Sequence, residues 1–380
     1  MPNPLRELSL DQLGRRTSVK WQRYPPDVLP LWVAEMDVPL ADPVRRALAE
    51  AVERGDTGYP SGEAYGEAMA GFAKQRWDWT FDPGRSAIVA DVMNGIVEAL
   101  RLVTRDGDPV VVNSPVYTPF YQFVGSMNRR VVESPLDAGY RIDLGHLEET
   151  FADLTEAGGR AAYLLCSPHN PTGTVHTHEE LTAVLALARR YGVRVVADEI
   201  HAPIVFSGAT HVPLLSLPDA ADAFVLLSAS KAWNLAGVKA ALMVAGEDAE
   251  DDLARLPDEV SHGPSHLGEI AHVAALRDGG EWLEDLLAGL DENRRLLAEL
   301  LTSHLPGIRH TMPQGTYLAW LDCRDLGLPD DPAEVFLERG KVALVPGQVF
   351  GTSGAGHARM NIATSPEVLE VAVRRMAVSV

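Results

Sequence analysis

A chain of 380 residues, 46% of them hydrophobic, can bury a large core, either as two domains or as one large domain with a smaller companion. Its net charge of −20 and pI near 5.0 argue against a nucleic-acid partner, which would need a basic face. The start MPNPLRELSL has no apolar core of signal-peptide length, and no apolar stretch approaches the ~18 residues of a membrane span; two cysteines, Cys166 and Cys323, make neither a disulfide framework nor a metal quartet, so the chain reads as cytoplasmic.

The first 40 residues hold prolines and aromatics and no clear helix, and are expected to wrap across two domains. Asp42-Pro43 then reads as N-cap and first-turn proline of an amphipathic helix that Gly55 stops. Asp91 caps a second helix, with Ile96, Val97, Leu100 and Val103 on one face. Short apolar runs at 109–112, 161–166, 193–197, 223–227 and 240–245 read as strands covered on both faces. Thr177 and Glu180 form a capping box that opens the helix ending at Gly192. This alternation predicts an α/β fold with a parallel sheet over 42–280. After about 280 a long helix, a strand at 316–321, a helix near 332–339, a strand at 342–345 and a last helix from about 366 predict a smaller α+β domain over 281–380, completed by residues 1–41.

In an open parallel sheet ligands bind beyond the carboxyl ends of the strands. There the sequence places Asn113-Ser-Pro-Val-Tyr117, Ser167-Pro-His-Asn170, Asp198-Glu-Ile-His201 and Ser228-Ala-Ser230-Lys231. An aromatic, an amide, a carboxylate and an amine are thus offered at four strand ends, and the helix start at Val92 adds free N–H groups for an anion. Lysine occurs only at positions 20, 74, 231, 239 and 341, so chemistry that needs a primary amine has few candidates. Pyridoxal 5′-phosphate would use the whole set: its aldehyde the lysine, its pyridine nitrogen the carboxylate, its phenolic oxygen the amide, its ring the aromatic, its phosphate the serines and helix start. Taken singly, each residue has a plainer reading as loop, cap or packing. His262 and His266 are four apart, but Gly263-Pro264 between them argues against a helical zinc pair; no metal is expected. His176 and His178, beside a helix cap, are expected to be solvated, and Cys166 to be a buried small hydrophobe.

The strings LPLWVAEMD, TGYPSGEAYGEAMAGFAKQRWDW, SPVYTPF, LLCSPHNPTG, GVRVVADEIHAPIVF, SASKAWNLAGVK, TYLAWLD and ARMNIATSP resemble, along nearly the whole chain, the fold-type I pyridoxal-phosphate enzymes of the class I/II aminotransferase superfamily. WVAEMD, DEIH and SASKAWN resemble in particular the carbon–sulfur β-lyases of the MalY/PatB type, which include cystathionine β-lyases. The resemblance implies a mostly parallel, seven-stranded-type sheet and a homodimer with shared sites. It makes Lys231 the residue bonded to the cofactor and the general base, Asp198 the partner of the pyridine nitrogen, and Asn170 the donor to the ring oxygen with His201 near it. Tyr117 would stack on the ring; Ser228, Ser230 and the amides of Val92 and Met93 would hold the phosphate. Tyr59 would reach the neighbouring subunit's cofactor, and Arg359 would grip the substrate carboxylate. Two departures stand out: Lys239 replaces a frequent arginine at a phosphate contact, and residues 90–94 lack the usual glycine. The activity implied is β-elimination from cystathionine or another L-cysteine S-conjugate; the alternatives are a transaminase, an enzyme tailoring a sulfur-linked intermediate, and an effector-sensing regulator.

Overall fold

The computed structural model describes residues 3–380. A seven-stranded sheet lies at its centre, in the order Ser86–Val89, Ala241–Ala245, Phe224–Leu227, Arg194–Asp198, Ala162–Cys166, Pro109–Val112, Arg130–Glu133. All five strands expected from the apolar runs are present. The parallel expectation needs one correction, because Ala241–Ala245 runs antiparallel to both of its neighbours. The direction of a strand buried on both faces is set by the connections at its ends, which a continuous apolar run does not record. The other two strands, Ser86–Val89 and Arg130–Glu133, lie at the sheet's edges and are partly exposed, so they carry no long apolar run.

The expected helix boundaries follow their chemistry closely. Asp91 accepts a hydrogen bond from the Asn94 amide and caps Val92–Val103. Thr177 and Glu180 form the reciprocal capping box of His178–Tyr191, which ends at left-handed Gly192. The first long helix starts one residue earlier than expected, at Asp42 with Ala41 as its cap. Helix Val92–Val103 packs on three central strands, and Gly95 permits the approach: a Cβ there would lie 2.5 Å from Leu226 Cδ1 and 2.9 Å from Val89 Cγ2. Helix Glu63–Trp77 was not legible as amphipathic, since small and aromatic residues surround it and it buries Tyr65, Met69 and Phe72 against the core.

Beyond Gly279 the 25-residue helix Gly280–His304 packs on Pro366–Ala377 and on the N-terminal turn Pro4–Arg6. A four-stranded antiparallel sheet follows, in the order Val345–Pro346, His357–Asn361, Leu318–Asp322, Arg309–His310. The strand expected at 342–345 is split: Val342–Ala343 pairs in parallel with Leu29–Pro30, while Val345–Pro346 joins the antiparallel sheet. That pairing ties the N-terminal segment to the C-terminal part and sends residues 31–38 across the carboxyl ends of the main sheet.

Candidate active site

Four neighbouring parallel strands, Phe224–Leu227, Arg194–Asp198, Ala162–Cys166 and Pro109–Val112, end on the same side of the sheet. Their ends open into a cavity of about 260 Å³ lined by Tyr117, Asn170, Asp198, His201, Ser230 and Lys231. Val92, Met93 and Lys239 also line it, as do apolar Phe123, Ile200 and Leu235. The sequence's strand-end residues therefore converge in space.

Lys231 is half-buried and donates from Nζ to the Ala34 carbonyl at 3.1 Å. Burial, seconded by the Arg359 charge, lowers its ammonium to about 8, against the pull of Asp198. Asp198 is buried at the end of its strand and Oδ1 accepts from the Ile200 amide at 3.0 Å. Desolvation raises it to about 7, partly countered by that amide and by Lys231. Among the described residues no donor meets Asp198 Oδ2. Such a pair of oppositely shifted groups in one cavity marks a reactive centre. His201 is buried, and its Nδ1 has no partner; burial, Lys231 and Arg359 push it well below the ordinary histidine range, so its imidazole is neutral. Tyr317 packs edge-on against it at 5.9 Å.

Arg359 is buried behind Asn170, donating to Asn170 Oδ1 and to the Trp32 carbonyl, each at 3.0 Å, with Nε unpartnered. Burial lowers it to about 10, so it remains a cation at neutral pH. At the helix start Lys239 pairs with the capping Asp91 at 2.5 Å. That contact, which the sequence reading did not contain, places a carboxylate where the helix dipole would favour an anion, and the lysine offsets it.

Three residues of the expected set lie off the cavity: Arg359, which stands behind Asn170, and Ser228 and Tyr59. Ser228 is buried, donates from Oγ to the Ala240 carbonyl at 2.9 Å and accepts the Ser230 amide at 3.1 Å, so its hydroxyl shapes the turn that presents Ser230. Tyr59 is 83% exposed and stands away from this chain's own cavity, against His262. His176 needs a correction: it is buried beside His169, with neither ring nitrogen partnered, because residues 171–176 run beneath the surface before the helix opens. His178 is exposed. Cys166 is buried, and desolvation together with Asp198 raises its thiol well above the usual range, which makes it inert. His262 ends a 3-10 turn and His266 opens the next helix, where it meets Asp56 at 3.1 Å.

Pyridoxal 5′-phosphate fits this donor set: an amine in the same cavity as a carboxylate with one oxygen free of donors, a half-buried tyrosine ring, and free amides at a helix start. A lysine at a strand end, a carboxylate on the next strand and an arginine from the four-stranded antiparallel sheet agree with an enzyme of the aminotransferase fold. The family model for aminotransferase class I and II matches residues 26–376, and the chain belongs to that family. A Mycobacterium tuberculosis (strain ATCC 25618 / H37Rv) protein named "Putative cystathionine beta-lyase" is 56% identical over 99% of this chain and 98% of its own. The cystathionine beta-lyase of Corynebacterium glutamicum is 36% identical over 97% of this chain and 98% of its own. The crystal structure of cystalysin from Treponema denticola, which contains pyridoxal 5′-phosphate, matches with a TM-score of 0.91 at 26% identity, covering 100% of this chain and 98% of that one.

Proposed function

We propose that this protein is a pyridoxal-phosphate-dependent carbon–sulfur β-lyase that cleaves cystathionine or another L-cysteine S-conjugate to a thiol, pyruvate and ammonia. The observation that carries the reading is the convergence of Lys231, Asp198 and Asn170 on one cavity that Ala34 of the 31–38 segment also lines, with Arg359 behind Asn170. When bound, the cofactor supplies the electron sink for the pair left by the substrate's Cα proton. Lys231 would hold the aldehyde until the substrate's amine displaces it, and its freed Nζ, whose ammonium burial lowers to about 8, would then take that proton. Asp198, with Oδ1 held by the Ile200 amide, would offer Oδ2 to the pyridine nitrogen and keep its proton in place. Asn170 would meet the ring oxygen with neutral His201 close by, Tyr117 would cover the ring, and Ser230 with the amides of Val92 and Met93 would hold the phosphate. Arg359, held in place by Asn170 and the Trp32 carbonyl, would grip the substrate carboxylate with its remaining N–H groups and so orient the amino acid.

The proposal includes a homodimer in which Tyr59 reaches the neighbour's cofactor. Its support is the exposure of Tyr59 together with a rigid base for its loop: buried Glu269 accepts the amides of Ser61 at 3.2 Å and Gly62 at 2.9 Å. A cytoplasmic setting belongs to the same reading. Among the described residues no helix is long and apolar enough to cross a membrane, and both cysteines are free and buried.

Incubation with cystathionine and no keto acid should release pyruvate and free thiol in step. Product that appears only when a keto acid is added would overturn the lyase reading in favour of transamination. Arg359→Lys should raise KM for the amino acid about 30-fold while cofactor binding is unchanged, because a bidentate charged contact becomes a single one. Equal losses of substrate and cofactor binding would remove Arg359 from the carboxylate role.

A further inference from the structure

The segment 31–38 runs over the site with its main chain held by side chains from several elements. Asn234, three residues after Lys231, has a left-handed backbone at φ 57°. Its carboxamide accepts from the Met36 amide at 2.8 Å and donates to the Met36 carbonyl at 3.0 Å, pairing with that residue as a neighbouring strand would. From the other domain Asn361, two residues beyond Arg359 on the same strand, donates to the carbonyls of Val33 at 2.8 Å and Glu35 at 2.7 Å, and its own amide donates to Leu31. Between these two brackets lies Ala34, whose carbonyl receives Lys231 Nζ and the Tyr317 hydroxyl at 3.0 Å. The Trp32 carbonyl receives Arg359. Outside the brackets a buried ion pair, Lys20 with Asp37 at 2.8 Å, anchors the segment again, and Lys20 also donates to Glu35 at 2.9 Å.

We propose that Asn234 and Asn361 are positioning residues that clamp segment 31–37 between the two domains, so that the Ala34 carbonyl is held at Lys231 and the Trp32 carbonyl at Arg359. The inference rests on the proposed assignment of Lys231 and Arg359. Neither asparagine lines the cavity; each acts through the main chain of the segment. Asparagine suits position 234 because it tolerates the left-handed backbone and carries both a donor and an acceptor. Trp233, its neighbour in the sequence, is instead core, fully buried with Nε1 bonded to the Gly279 carbonyl.

The test uses the cofactor-loaded protein and two probes that do not react through to product: an α-methyl amino acid, and the corresponding amine without the carboxylate. Asn234→Gly keeps the backbone conformation and deletes the bracket; Asn234→Asp keeps the acceptor and deletes the donor. In the glycine variant hydrogen exchange over 33–37 should quicken, and the α-methyl amino acid should bind about tenfold more weakly, as expected for two lost hydrogen bonds. The amine should bind as to the parent, and the aspartate variant should fall between. Unchanged exchange and unchanged affinity would overturn the proposal, and so would equal weakening of both probes, which a merely structural residue would give. Neither readout needs turnover, so a parent protein that released no pyruvate would sink the lyase reading and leave this result standing on its own.

Discussion

Lys231→Ala is expected to cut pyruvate release from a cysteine S-conjugate by at least ~10³-fold, since one amine serves as both cofactor tether and base. The same change should stabilise the cofactor-free protein at pH 7. In the folded chain the ammonium is depressed to about 8 from an ordinary 10.5, mainly by burial. A depressed group adds its stability above its unfolded value and loses it as pH falls through its folded one. At pH 7 the parent therefore carries the cost of enclosing a charge that alanine lacks, on the order of 1–3 kcal/mol, the pull of Asp198 being already contained in that shift. Thermal unfolding of the cofactor-free proteins at pH 7 and pH 10 checks this: the variant's advantage should shrink at the higher pH. A variant that unfolds earlier than the parent at pH 7 would contradict the assigned burial of the amine.

Asp198→Asn should lower turnover by ~10²–10⁴-fold, because an amide cannot hold the proton on the pyridine nitrogen that the electron sink needs. Asparagine keeps the oxygen that accepts the Ile200 amide, so local geometry is preserved. Here the pH dependence has the opposite sign. Burial raises the carboxyl to about 7 from 3.8, so the folded chain binds more protons than the unfolded one between those values and loses stability as pH rises through them. The cofactor-free variant should match the parent near pH 4 and exceed it by about 1–2 kcal/mol at pH 7.5. Denaturant titrations at the two pH values read the difference directly. A gap that narrows toward pH 7.5 would mean that Asp198 is ionised at little cost and that its partners outweigh its burial.

How far the sequence leads is visible in the site itself. The strand-end rule brought Tyr117, Asn170, Asp198 and Lys231 together because the four parallel strands they follow lie side by side in chain order, the one strand between them in sequence, Arg130–Glu133, being set aside at the sheet's edge. Position 228 shows where the rule stops. A serine after a strand reads as a ligand, yet this hydroxyl closes its own turn on Ala240, a contact twelve residues away that depends on Ala241–Ala245 running antiparallel. The Asp91–Lys239 pair, 148 residues apart, was out of reach for the same reason. Arg359 came only from the resemblance to a known family, since nothing local to ARMNIATSP sets it behind Asn170. His176 misled because proximity to a cap says nothing of whether the preceding turn is covered.

The brackets on segment 31–38 also bear on how the protein is made. Asn361 meets Val33 across 328 residues, so segment 31–38 is fastened only after residue 361 has been synthesised. The large sheet, complete at Ala245, can form while synthesis continues, with its reactive lysine already in place. A nascent chain released before residue 359 would present Lys231 under an untethered segment 31–38, and in the proposed assignment would lack the arginine that selects an amino acid. Quality control acting on such fragments would therefore see a folded body with an unselective site.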